Sequence, residues 1–256
     1  MAKLFIWVLF GTIFVGGCVN QNQETTASAY MVDLLQEIAE QNRTYRHPYM
    51  HELRVAHYDS LWQKAPGGEN KLDYHYIKSI ELLNAGRSEE AAASFQDLYA
   101  ALLEYQDDYP EAVNARLKDL ESLIAISYLR QGEQENCVMN HTSASCIIPI
   151  AAEGYHQLPD GSSRAIEAYT RILQSNPEAL DARWLLNIAY MTLGKYPEQV
   201  PDDWLISPEA FASEYPLKKF KDVAPHLGLA TRALSGGAVI EDFNQDGYLD
   251  IMITSW

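Results

Sequence analysis

The stretch Asp242-Phe243-Asn244-Gln245-Asp246-Gly247-Tyr248-Leu249-Asp250 carries oxygen donors at alternate positions. In a tightly wound loop such side chains turn toward one centre, so Asp242, Asn244 and Asp246 can offer oxygens to a single hard cation. Gly247 permits the sharp turn, the Tyr248 carbonyl supplies a backbone ligand, and Asp250 closes the ring. Magnesium demands strict octahedral geometry, whereas calcium accepts an irregular cage of oxygens, so calcium is the expected ion. A helix–loop–helix site would carry a glutamate at the twelfth loop position, where Ile253 stands. Short β-branched runs flank the loop instead, Ala238-Val239-Ile240 before it and Leu249 to Thr254 after it, so it is predicted to join two strands. The alternative is an acidic turn in which Asp and Asn serve turn geometry alone.

A second chemical signal lies at the start of the chain. Lys3 precedes an apolar run from Leu4 to Val15, interrupted only by Gly11 and Thr12. The run is short for a membrane span and suited to the core of a signal peptide. It ends in Val15-Gly16-Gly17-Cys18, which resembles a bacterial lipobox: small residues lie extended in the peptidase site, and the cysteine thiol is lipidated. The resemblance implies that residues 1–17 are removed, that Cys18 carries the lipid, and that Val19 directs the protein to the outer rather than the inner membrane. The alternative is an ordinary signal peptide, or a short anchor, with a coincidental cysteine. In an exported chain the closely spaced Cys137 and Cys146 are expected to form a disulfide closing a small loop. Free buried thiols are the other reading.

Other candidate chemistry fails on spacing. Cys137 to His141 lacks the second cysteine of a haem attachment site, because Asn140 stands there. His47, His51 and His57 do not follow the zinc-protease order H-E-x-x-H, and Pro48 disturbs the helix that would align them. No G-x-S-x-G, phosphate-binding or dinucleotide loop occurs. Asn140-His141-Thr142 is a glycosylation sequon, meaningful only for a eukaryotic source. No catalytic residues are identified, and the chain is read as a non-enzyme.

The elements that must position these residues are mostly helical. Met31, Leu34, Leu35, Ile38 and Ala39 fall on one face of a helix predicted over 30–43. A second helix is predicted across Leu53 to Trp62, broken by Pro66-Gly67-Gly68. A pattern then recurs. Leu82, Gly86, Ala91, Phe95 and Leu98 present a large residue, a turn glycine, a small residue, an aromatic and a packing residue. Ile124, Ala125, Tyr128 and Gly132 repeat the first part, and Ala165, Ala168 and Tyr169, ending at Asn176-Pro177, repeat the second. Leu186, Ala189, Tyr190, Leu193, Gly194 and Tyr196 make another helix and turn. Small residues let paired helices approach, aromatics fill the space beside them, and glycine allows the left-handed turn. The pattern resembles tetratricopeptide (TPR) repeats, best over 163–196, with Asn187 where that family has a small residue. A plain helical bundle is the alternative. The stretch 133–161 reads as a loop inserted into one unit, projecting from the scaffold and stapled by Cys137 and Cys146.

The segment from Phe220 through Gly236-Gly237-Ala238 and the acidic loop resembles the start of an FG-GAP/VCBS repeat, as in cartilage-acidic-protein (ASPIC/UnbV)-like proteins. That resemblance implies the first hairpin of a calcium-binding β-propeller, which needs several such units, so the sequence reads as truncated. The expected fold is mainly α: a signal peptide (1–17), a tether (18–29), a TPR-like helical solenoid (30–200), a linker (201–219) with one short helix around Pro208 to Tyr215, and the hairpin (220–256). Hydrophobic residues make up 47% of the chain, as in globular proteins, and the net charge of −16 argues against nucleic acid. The expected function is that of a lipid-anchored envelope protein binding a protein or peptide in a TPR-like groove. Two rivals stand beside it: an enzyme acting on envelope or glycan material from the missing propeller, and an outer-membrane assembly factor.

Overall fold

The computed structural model describes residues 21–140, 142, 144–215, 217–218, 220–231 and 236–254. It is mainly helical, with seven α-helices and one antiparallel pair of strands among the described residues. Two compact units divide the chain, Met1–Gln131 and Gly132–Trp256. No described helix is long and apolar enough to cross a membrane. Cys18 and the expected signal peptide lie outside the described residues.

In the first unit, α1 (Gln21–Asn42) begins well before the predicted start at residue 30. The expected tether is therefore helical from Gln21 onward, because no glycine or proline between Gln21 and Asn42 stops the helix from growing backward from its periodic part. Its apolar stripe is uncovered: Met31, Leu35 and Ile38 are exposed. The helices α2 (His51–Lys64) and α3 (Glu69–Asn84) pair across the Pro66-Gly67-Gly68 break, where both glycines adopt positive φ. Glu81, buried on α3, ties the pair by accepting from Arg54 Nε at 2.7 Å and lying 2.8 Å from His51 Nδ1. Removing either partner would leave the buried Glu81 carboxylate short of a hydrogen bond.

Gly86 (φ 78°) then turns the chain into α4 (Ser88–Leu103). The turn closes with Arg87 N donating to Leu82 O at 2.9 Å and Gly86 N to Leu83 O at 3.1 Å, the paired bonds that satisfy the last carbonyls of a helix. Glu89 and Glu90 in the first turn of α4 complement its dipole. The expected repeat positions are the core: Leu82, Ala91, Phe95 and Leu98 are buried, with Phe95 and Ala91 fully so. Pro110, whose missing N–H costs nothing in a first turn, opens α5 (Pro110–Asn140). Ile124, Ala125 and Tyr128 are buried along it.

The second unit begins inside α5 and corrects the expected turn at Gly132. That glycine is helical, and its role is close approach: a Cβ there would lie 3.0 Å from both N and Oγ of Ser162. The helix consequently runs on to Asn140, and the inserted loop is shorter than the predicted 133–161. Nor does its return project freely. Buried Asn136 accepts from Gln157 N at 2.6 Å and Leu158 N at 2.9 Å, and donates to Gly132 O and Leu158 O at 2.7 and 2.9 Å. One side chain thus satisfies the backbone of the returning strand of loop, which buried amides require.

The helices α6 (Asp160–Ser175) and α7 (Leu180–Thr192) pair through Ala165, Ala168, Tyr169, Leu186 and Ala189, all buried. Gly194 (φ 64°) repeats the Gly86 turn, with Lys195 N donating to Tyr190 O at 2.9 Å and Gly194 N to Met191 O at 3.0 Å. The predicted linker is partly docked. Asn187, fully buried, donates to Trp204 O at 2.9 Å and accepts from Ile206 N at 3.0 Å, while Arg183 donates to Trp204 O and Leu205 O. The short helix expected near Pro208 is a single 3-10 turn, Pro208–Phe211. The strands β1 (Ala238–Glu241) and β2 (Asp250–Ile253) form the predicted hairpin, with Glu241 opposite Asp250 and Ala238 opposite Ile253.

Candidate functional site

Among the described residues, a groove of about 590 Å³ lies in the first unit between α3, the end of α4 and the start of α5. The first turns of α3 present Glu69, Leu72, Asp73 and Tyr76 at the spacing of one helix face. Leu98 and Leu102 close the floor from α4, and Ala112, Val113 and Arg116 form the opposite wall from α5. Tyr105 and Tyr109, from the connector between α4 and α5, complete the lining. The Arg116 guanidinium lies 4.8 Å from the centre of the Tyr76 ring, a cation–π contact that bridges the two walls. Glu69 and Asp73 are exposed and have no cationic partner among the described residues. The repeat pattern marks core positions and so reaches this lining only at Leu98; the further signal available in the sequence was the second stripe on α3.

A serine–imidazole pair sits on the other side of α3. His75 Nε2 lies 3.1 Å from Ser94 Oγ, which is 2.7 Å from Ser79 Oγ. That is the spacing of a nucleophile and its base. All three side chains are buried, however, and none lines the groove, so no substrate reaches them. Burial, with Lys78 nearby, pushes the His75 imidazole down to about 4, which keeps it neutral as a core hydrogen-bonding group.

The three histidines near α2 are separated by their partners: His51 pairs with Glu81, His57 stacks on Tyr45 at 3.8 Å, and His47 Nδ1 accepts from Tyr49 N. Cys137 and Cys146 are free thiols, so the expected disulfide is not formed in this structure. The extension of α5 fixes Cys137 on a helix, where burial and the Glu133 carboxylate raise its thiol above the ordinary value; Cys146 is exposed on the loop beyond.

The predicted cation ligands lie along the hairpin turn, each side chain tied to the turn's own backbone. Asp242 accepts from Asp246 N at 3.1 Å and Gly247 N at 2.9 Å, Asn244 Oδ1 from Asp246 N at 2.9 Å, and Asp246 from Tyr248 N at 2.9 Å. Asp250 accepts from Phe243 N at 3.1 Å across the loop. Gly247 (φ 88°) and Gln245 (φ 61°) make the left-handed steps of the turn. Every donor in the set is an oxygen, the chemistry a hard cation requires. As wound here the oxygens cap backbone N–H groups, and among the described residues no three acidic, imidazole or thiol side chains gather closely enough to hold a metal.

Comparison with known proteins identifies no relative: no family model, no curated protein and no solved structure matches the chain.

Proposed function

We propose that the chain is an exported, lipid-anchored binding protein rather than an enzyme. In this reading Cys18 carries the lipid and holds the protein to the bacterial envelope, at the outer membrane, and TPR-like helices capture a protein or peptide. The observation that carries it is the groove of the first unit, whose walls come from α3 and α5 and whose floor is apolar and aromatic. Concave faces of stacked helical pairs bind extended partners in this manner. The repeated glycine turn after α3 and α7, each followed by the same pair of backbone bonds, supports the TPR-like reading over an irregular bundle.

The C-terminal hairpin is proposed as the opening of an FG-GAP/VCBS propeller, with calcium held by Asp242, Asn244, Asp246, the Tyr248 carbonyl and Asp250. The all-oxygen donor set and the left-handed steps at Gln245 and Gly247 support this. A bound ion would supply the positive charge that lets the carboxylates turn from backbone N–H groups toward a shared centre.

Panning a peptide library against the intact chain tests the binding reading. Peptides are expected to be retained and then lost with Leu72→Glu, which places a charge in the groove floor. Failure to enrich any peptide refutes it. Calcium titration followed by calorimetry tests the loop; heat that persists unchanged in Asp246→Ala would remove it as the site.

A further inference from the structure

The groove of the first unit carries a chemical preference as well as a shape. Its apolar floor meets an open rim of two carboxylates, Glu69 and Asp73, on the α3 wall. Neither has a cation beside it among the described residues. Between the lining residues Tyr105 and Tyr109, the connector adds exposed Asp107 and Asp108. The one cation in the lining, Arg116, is already engaged over Tyr76 at 4.8 Å, so the rim is left with uncompensated negative charge. That contact also shows which group the tyrosine faces of this groove attract: a guanidinium, held by the negative face of the ring. Tyr109 is largely exposed and offers a further ring of the same kind.

Resting on the peptide-binding reading above, we infer that the groove takes an extended peptide segment in which Lys or Arg alternates with large apolar side chains. The apolar side chains fill the floor made by Leu72, Leu98 and Leu102. The basic ones lie along the rim against Glu69 and Asp73, with the tyrosine rings beneath them. Acidic segments meet like charge on the rim and are excluded. A segment of basic and small polar residues would satisfy the rim and leave the floor wet.

Fluorescence anisotropy of the intact chain with three blocked, labelled peptides tests this: Lys alternating with Leu, Glu alternating with Leu, and Lys alternating with Ser. The Lys–Leu peptide should bind, with both others at least about tenfold weaker. The double variant Glu69→Gln, Asp73→Asn, which alters only exposed groups, should weaken the Lys–Leu peptide about fivefold. Tyr109→Leu, which keeps an apolar side chain and removes the exposed ring, should weaken it about threefold. Circular dichroism confirms that both variants keep the helical content of the parent chain. If the Lys–Leu peptide binds equally to the parent and the carboxylate variant, it rides on diffuse negative charge and the inference fails. Tighter binding of the Glu–Leu peptide, lost on Arg116→Gln, would overturn the cationic preference while leaving the groove as a peptide site. Absence of binding by all three would remove both readings.

Discussion

Asn187 occupies the place where the repeat pattern calls for a small residue, and replacing it by that residue should damage the protein. In Asn187→Ala, α7 keeps its helix propensity and gains a better helix former. What it loses is a fully buried amide that donates to Arg183 O at 2.8 Å and Trp204 O at 2.9 Å and accepts from Ile206 N at 3.0 Å. Trp204 O retains the Arg183 Nε bond at 3.1 Å, and Arg183 O retains its backbone helix bond, so two of the three losses are cushioned. Ile206 N–H, on a half-buried residue, is left without its acceptor, at a cost of about 1 to 3 kcal/mol. The vacated volume adds about 1 kcal/mol more. Urea unfolding of the second unit should therefore show a loss of about 2 to 4 kcal/mol. Hydrogen exchange should localise it to the amides of 204–206. Stability equal to or above the parent would show that the strap contributes nothing, and that the pattern residue is the better fit.

His75 gives a pH dependence. Its folded value near 4 lies below the unfolded 6.5, so the unfolded chain binds more protons between them, and stability falls as pH drops through that window. Unfolding free energy of the first unit should decline by on the order of 3 kcal/mol from pH 7 to pH 4, and His75→Phe should flatten that slope. Gly132→Leu, which drives a side chain into Ser162 at the crossing of α5 and α6, should cost about 1 to 3 kcal/mol in the same assay. Tyr169 buries its hydroxyl without a hydrogen-bond partner among the described residues, so Tyr169→Phe should leave stability unchanged or raise it by about 1 kcal/mol. Alkylation followed by mass spectrometry should find Cys146 reacting faster than Cys137, whose thiol is held in its protonated form by burial and Glu133.

The repeat pattern was legible because it reports packing. Phe95, Ala91, Leu186 and Ala189 are apolar or small at helical spacing, and such residues are forced inward whatever the partner. Glycine was ambiguous for a physical reason. Gly86 and Gly194 take positive φ and end helices, whereas Gly132 is helical and serves contact, and the residue type alone does not separate freedom of φ from absence of Cβ. Misreading Gly132 as a turn displaced the loop boundary by most of the last two turns of α5. The polar clamps were hidden for another reason. Asn136 and Asn187 act on backbone groups 21 and 19 residues away, a relation with no sequence periodicity. The groove lining shared this fate, since Tyr76 and Arg116 meet only once α3 and α5 are brought side by side. The acidic loop was readable because its residues are contiguous and its turn demands particular types.

The hairpin of β1 and β2 has a bearing on how the protein must be handled. Val239, Ile240, Ile251, Met252 and Ile253 are exposed on its two faces, and among the described residues each strand pairs with the other alone. Every strand is then an edge strand, with a row of N–H and C=O groups facing water and β-branched side chains beside them. A surface of that kind templates the addition of further strands, whether from another segment or from a second molecule. The net charge of −16 opposes the approach of two such hairpins. Raising the ionic strength screens that repulsion and leaves the edge strands free to meet.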